Sequence, residues 1–346
     1  MDRVEYLVLD PQIITKILAI TALAFICSML FTPFLTNLLY KYKFWKQIKD
    51  TDISGKEATV FYKLHKHKQR ERIPTAAGIM FWVIGGLITV VLNLSRSQTF
   101  LPLFFLLAGG TLGLIDDYIN IRSSKRGIKG IKAITKLFWQ LLIAGFGAWW
   151  FYVKLGFDII HIPGIGDFTI GWWYIPIFIL IIIATANAVN ISDGLDGLAG
   201  GLSIFAFTGY GVIAIVQGNI GIALFCATLI GVLLAYTWFN IYPARFFMGD
   251  TGSMALGATL GVIAMLTNSV FVLPIIGFVF LIEISSSLIQ MICKKLFNRK
   301  VFLCAPLHHH FEALGWPETK VTMRFWILGI ISSIVGVIFG LIGGGV

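Results

Sequence analysis

The sequence predicts an all-α, polytopic integral membrane fold with about ten transmembrane helices. Three observations predict it. Of 346 residues, 57% are hydrophobic and only 13% charged, with a mean hydropathy of +0.85, whereas a soluble domain carries roughly a quarter charged residues. Apolar runs of ~20 residues, the length a bilayer requires, recur along the whole chain. The basic residues also segregate, with 22 of the 27 Lys and Arg residues lying in the segments 36–73, 116–136, 238–252 and 293–322.

Taken in order, the apolar stretches lie near 13–35, 73–93, 99–115, 134–153, 174–190, 199–217, 220–237, 252–267, 270–292 and 323–343. The N-terminus is acidic, with Asp2, Glu5 and Asp10, the opposite of a signal peptide's basic start, so the first stretch is expected to remain as a helix. Gly and Pro within the stretches are normal for membrane helices. With ten spans, the four basic segments and the loop 191–198 fall on one side, which the excess of Lys and Arg marks as cytoplasmic. Both termini are then expected on the periplasmic side of an inner membrane. The opposite side carries little more than Arg3, Arg96 and Lys154. The net charge of +10 thus reflects cytoplasmic loops and implies no nucleic-acid partner.

The outer loop 154–173 differs from the other connections. Phe157 to Ile162 and Phe168 to Trp172 flank Pro163-Gly164-Ile165-Gly166, a pattern for a small β-hairpin at the membrane surface. Trp172, Trp173 and Tyr174 suit an interfacial aromatic belt. No internal repeat or separable soluble region is visible, so residues 1–346 are expected to form a single membrane domain. Cys27, Cys226, Cys293 and Cys304 are scattered without paired spacing, which argues against a disulfide framework or a zinc site.

Acidic residues are scarce, 17 in all, so their placement is informative. Asp116 and Asp117 end the run LPLFFLLAGGTLGLI, Asp193 and Asp196 lie in NAVNISDGLDG, and Asp250 lies in ARFFMGDTGS. All five sit at predicted cytoplasmic helix ends, so three connections deliver carboxylates to one membrane face. Two like charges ~4 Å apart repel by about 4 kcal/mol at an effective dielectric near 20. Such a pair shares a proton or holds a cation. Magnesium suits a sparse carboxylate set, because it keeps waters and accepts phosphate oxygens as ligands.

Asn187, Asn190 and Asp193 recur every three residues, along one side of a helix. Their amides either form interhelical hydrogen bonds or face a ligand, and spacing alone does not choose. Gly194, Gly197, Gly200 and Gly201 allow close backbone approach, although no P-loop pattern is present. Arg70, Arg72, Lys125, Lys129, Lys132, Lys136 and Arg245 are candidate phosphate contacts, each of which also fits a lipid-headgroup role. Consecutive residues on a helix point ~100° apart, so His308, His309 and His310 are expected to have separate roles rather than share one ion. Glu283, within the ninth stretch, reads as a structural hydrogen-bonding group.

These residues carry a resemblance. PTAAG (74–78), GLIDDY (113–118), NAVNISDGLDGLAGG (187–201), FNIYPARFFMGDTGS (239–253) and APLHHHFEALGWPE (305–318) resemble, in order and over nearly the whole chain, the phospho-N-acetylmuramoyl-pentapeptide transferase family. That family lies within the polyprenyl-phosphate N-acetylhexosamine-1-phosphate transferase superfamily. The resemblance implies transfer of phospho-MurNAc-pentapeptide from UDP-MurNAc-pentapeptide to undecaprenyl phosphate, with release of UMP, in peptidoglycan synthesis. It further implies Mg2+ as cofactor, a homodimer, Asp116 and Asp117 as a catalytic pair acting with Asp250, and Asp250, with Asp116 and Asp117, as the metal ligands. Thr75, Asn187, Asn190, Asp193, Asp196, Asn240, Phe247 and His308 to His310 would bind substrate, and Arg70 or Arg72, Lys125 and Lys136 are the nearest matches to the family's basic residues. The family's PTMGG reads PTAAG here, with Ala77 in place of a glycine, which weakens the case for close backbone packing at that position.

One Asp of the pair would deprotonate the lipid phosphate or attack first to form an acyl-phosphate. Direct attack by the lipid phosphate is favoured, because it is already a competent nucleophile. A sister transferase acting on UDP-GlcNAc would share the Asp motifs, and the HHHFEALGWPE segment favours the muramoyl donor. A transporter would place its acids at mid-bilayer between structural repeats, and here they cluster at one face.

Overall fold

A computed structural model describes residues 10–45, 73–124 and 132–342. Among them are twelve α-helices and one two-stranded hairpin. Helix α1 spans Pro11–Lys41. Asp10 caps it by accepting from the Gln12 amide at 2.9 Å, and Pro11 occupies its first turn, where the missing N–H is no loss. Helix α2, Ile79–Leu92, has 14 residues and reaches only ~21 Å at 1.5 Å per residue. The first residues of its predicted stretch remain extended instead. Thr75 N bonds Phe44 O, Phe247 N bonds Pro74 O, and Ala77 N and Gly78 N bond Phe247 O and Met248 O. Backbones therefore do pack closely at this motif despite Ala77, and a Cβ on Gly78 would fall 2.2 Å from Gly252 Cα.

Helix α3, Phe100–Ser124, continues past the predicted end at 115, so Asp116 and Asp117 lie within the helix rather than after it. Helix α4, Ala133–Trp149, passes into a π-helical turn, Trp150–Lys154. The hairpin pairs β1, Ile159–Ile162, with β2, Gly166–Thr169. Its second strand starts and ends earlier than predicted, because Gly171 turns the chain with φ of 54° and a 3-10 turn, Gly171–Trp173, follows. Trp172 and Trp173 stack at 4.3 Å and are exposed, as an interfacial belt requires.

Helices α5 (Tyr174–Ser192), α6 (Leu198–Val216), α7 (Ile220–Asn240) and α8 (Gly249–Leu266) follow the predicted stretches. The ninth stretch is broken. A 3-10 turn, Val270–Val272, and α9, Leu273–Ile276, are set at 82° to α10, Phe278–Phe297, with Pro274 and Gly277 at the break, the residues that end or kink helices. Helix α11, Leu307–Ala313, and α12, Glu318–Ile342, complete the chain. Among the described residues, seven helices are long and apolar enough to cross a bilayer, or eight if the bent pair counts as one span.

Helix α8 is central and buried along nearly its whole length, packed against α3 and α5, while α7 lies between α1 and α6 and α12 covers α6. Small residues permit the closest crossings, the usual device of membrane helices. A Cβ on Gly113 of α3 would lie 2.1 Å from the Asp250 carbonyl oxygen of α8. The outer faces expose Leu18, Leu30, Phe34, Ile327, Ile331 and Ile334, an apolar surface that lipid covers.

Candidate active site

The close contact at Gly113 brings the carboxylates of α3 to the start of α8. Gly249 makes the turn into α8 with φ of 68°, and a side chain there would strike Asp117 and the Thr75 hydroxyl, so glycine is required. The first N–H groups of a helix have no partner within it. Here Asp117 supplies one from another helix. Its Oδ1 accepts from Asp250 N at 3.2 Å, and its Oδ2 accepts from Thr251 N at 3.0 Å and Thr251 Oγ1 at 2.7 Å. A carboxylate at this position also complements the helix dipole.

Asp116, its neighbour, faces a different environment. Its Oδ1 accepts from Asn120 Nδ2 at 3.1 Å and its Oδ2 from Lys136 Nζ at 3.2 Å. The Lys136 ammonium also donates to Asp250 Oδ2. Asp250 Oδ1 accepts from Asn190 Nδ2 at 2.7 Å, and the same amide reaches Ser253 Oγ at 2.8 Å. Helices α3, α4, α5 and α8 thus all contribute to a cluster in which carboxylates outnumber the ammonium.

Among the described residues no three His, Cys, Asp or Glu side chains form a ready-made metal cage. A magnesium ion needs no such cage, since it is usually held by one or two carboxylates, water and substrate phosphate. Asp116 and Asp250 fit it. Both turn an oxygen toward one ammonium, Lys136 Nζ, so the space between them already holds positive charge. Asp117 has both oxygens committed to the start of α8.

The remaining predicted residues fall into distinct surroundings. Thr75 is buried beside Asp117 at the Gly249 turn. Asn187 forms the interhelical bond left open by its spacing, donating to Gln140 Oε1 at 3.3 Å and to Ile183 O at 2.7 Å. Asp193 ends α5, its N–H bonded to Asn190 O at 3.3 Å. Asp196 Oδ2 accepts from Ala244 N at 2.9 Å, and Asn240 bridges Gly197 N and Phe246 O. Phe247 is buried with Ile73 and Ala244. The three histidines have separate partners, as their angular spacing implies. His308 Nδ1 meets Glu283 Oε2 at 2.8 Å, His309 Nδ1 meets Glu312 Oε2 at 2.7 Å, and His310 Nδ1 accepts from Leu303 N at 3.2 Å. Glu283 is fully buried and also accepts from His308 N, the structural role expected of it. His308 touches the glycine loop as well, since a Cβ on Gly194 would fall 2.1 Å from its Nε2. Arg70, Arg72, Lys125 and Lys129 lie outside the described residues.

Several members of the site were not singled out from the sequence. Thr251 and Ser253 lie one and three residues after Asp250, and hydroxyls in a first helical turn beside an acid are a usable signal. Gln140 carried none. It lies one turn below Lys136 on α4, as Asn187 lies one turn from Asn190 on α5, so the Gln140–Asn187 bond fixes the register of the two helices at Asp250. Gln140→Ala and Asn187→Ala are expected to be coupled by about 0.5–1 kcal/mol in a double-mutant thermal-stability cycle. Additive losses would show that the bond does not link the helices.

The cluster of acids and an ammonium lies in a bundle of membrane-length helices, and residues 99–268 match the family described as Glycosyl transferase family 4. The chain is 36% identical over 337 residues to a phospho-N-acetylmuramoyl-pentapeptide-transferase of Geobacillus sp. (strain WCH70), covering 95% of this chain and 98% of that one. Proteins of the same name from Clostridium novyi (strain NT) and Desulforamulus reducens are 36% and 37% identical, over 90% and 91% of this chain and 93% of each relative. The chain belongs to the phospho-N-acetylmuramoyl-pentapeptide-transferase family.

Proposed function

We propose that the Asp116–Lys136–Asp250 cluster transfers phospho-MurNAc-pentapeptide from UDP-MurNAc-pentapeptide to undecaprenyl phosphate, releasing UMP and forming lipid I for peptidoglycan synthesis. The observation that carries this reading is the convergence of Asp116, Asp117, Asp250 and Lys136, from three helices, in a chain 36% identical to a named transferase over 95% of its length. An oxygen of the lipid phosphate forms the new bond to the sugar-linked phosphorus while the bond from that phosphorus to UMP breaks. Magnesium held by Asp116 and Asp250 would supply positive charge for the phosphate oxygens. Lys136 orients both carboxylates and offers a cation to the anionic reactants. Asp117 sets the position of Asp250 through the start of α8. Direct attack is favoured because every carboxylate of the pair is already engaged, Asp116 by Lys136 and Asn120 and Asp117 by Asp250 N and Thr251.

Ten spans, both termini periplasmic, an active face toward the cytoplasm and location in the bacterial inner membrane follow from the charge asymmetry of the loops. They require α2, α4 and the bent α9–α10 pair to be counted with the seven long helices. A homodimer within the bilayer is part of the same reading.

The test is UMP release by purified protein given UDP-MurNAc-pentapeptide, undecaprenyl phosphate and magnesium, with UDP-GlcNAc as a competing donor. Release is expected only with the muramoyl donor and the lipid, lost on chelation and restored by magnesium. Release from UDP-GlcNAc alone would move the protein to the sister activity. No release from either donor by folded protein would overturn the reading.

A further inference from the structure

Glu318 closes the segment APLHHHFEALGWPE. It opens α12, and with Thr322 and Trp326 it repeats at four-residue intervals, along one face of the helix. All three side chains bond the backbone of the same two residues in the glycine loop. Glu318 Oε1 accepts from Asp196 N at 2.6 Å, Thr322 Oγ1 donates to Asp196 O at 3.2 Å, and Trp326 Nε1 donates to Gly197 O at 3.1 Å. The fourth backbone group, Gly197 N, donates to Asn240 Oδ1 of α7 at 3.0 Å. Every backbone polar group of Asp196-Gly197 is therefore held by a side chain from another helix. Gly197 has φ of 77°, and a Cβ there would lie 3.5 Å from the Trp326 ring, so the dipeptide is held in a conformation that favours glycine.

We propose that Glu318, Thr322 and Trp326 are positioning residues for sugar-nucleotide binding. They clamp Asp196-Gly197 so that Asp193, three residues upstream at the end of α5, is presented in one orientation. This rests on the loop 193–197 belonging to the donor site. The clamp fixes the donor end of the reaction and leaves the lipid end, at Asp116 and Asp250, to other helices. Its loss should therefore weaken one substrate and not the other.

The experiment measures KM for UDP-MurNAc-pentapeptide and for undecaprenyl phosphate, together with the thermal midpoint, in Glu318→Ala, Glu318→Gln, Thr322→Val, Trp326→Phe and Asp193→Asn. Glu318→Ala and Trp326→Phe are expected to raise the donor KM about tenfold, the effect of one buried hydrogen bond, with the lipid KM within about twofold. Glu318→Gln, which keeps an acceptor oxygen, should recover most of the loss, and Thr322→Val, which keeps the packed volume, tests the clamp if Glu318→Ala or Trp326→Phe fails to fold. Unchanged donor KM in the clamp variants, with a raised one in Asp193→Asn, would overturn the clamp and leave the loop in the donor site. Donor KM unmoved in all five would remove the loop from the donor site and the clamp with it. Both KM values rising together, in step with a lowered midpoint, would mean that α12 supports only the fold.

Discussion

Asp250→Asn is expected to lower turnover by about 10²–10³-fold while the protein still folds. Asp250 joins Lys136 of α4 to Asn190 of α5. Both partners are donors, so a carboxylate satisfies them together. An asparagine has one carbonyl and one NH2, and either orientation sets donor against donor at one of the two contacts. The lost charge also leaves Lys136 with Asp116 alone and removes a hard oxygen ligand from the proposed magnesium position. Steady-state UMP release, compared with Asp167→Asn on the outer hairpin, is the measurement. Asp167 pairs with His161, far in sequence and role from the cluster, and its substitution should change turnover by less than about twofold. A loss below about tenfold in Asp250→Asn would remove that residue from the chemistry.

The second large effect involves a residue with no functional group. Gly113→Ala places a methyl carbon 2.1 Å from the Asp250 carbonyl oxygen and 2.6 Å from Thr251 N. Those atoms are backbone at the start of a buried helix and have no rotamer to change. Helices α3 and α8 must move apart, and Asp116 and Asp117 move away from Asp250 with them. A displacement near 1 Å in a catalytic site costs about 10²-fold in rate, and overpacking of this kind destabilises by about 1–3 kcal/mol. Gly145→Ala on α4 is the matched control, since a Cβ there meets nothing within 4 Å. It should retain full activity. Equal activity in the two variants would mean that the α3–α8 crossing does not set the geometry of the site.

Much of this arrangement was legible in the residues. Asp116, Asp117 and Asp250 are three of few acids in an apolar chain, and each lies at the end of an apolar run on the side the basic loops share, so their convergence followed from topology. The divergence of the three histidines followed from helical geometry. What was not legible depends on which backbones meet. Glu318, Thr322 and Trp326 bond main-chain atoms, and no side-chain pattern marks the carbonyl that a tryptophan will find. The two members of the acidic pair read alike, yet Asp117 faces the start of α8 and Asp116 faces α4, because neighbours on a helix point ~100° apart. The broken ninth stretch did carry a signal. Pro274 and Gly277 lie within it, but a continuous apolar run masked them.

The burial of α8 has a consequence for how the protein is made. Of the seven long helices it is the least apolar, and it is also the best shielded in the finished fold. A helix that faces only protein has no need of lipid-compatible side chains on every side, so Asp250, Thr251 and Ser253 are tolerated in its first turn. During synthesis the residues that form this shield are largely made before α8 is. Helices α3 and α5 precede α8 in the chain and form most of its surroundings, so they are available as the surface against which it enters the bilayer. Assembly and catalysis then depend on the same crossing, so an overpacked Gly113 is expected to cost stability and rate together.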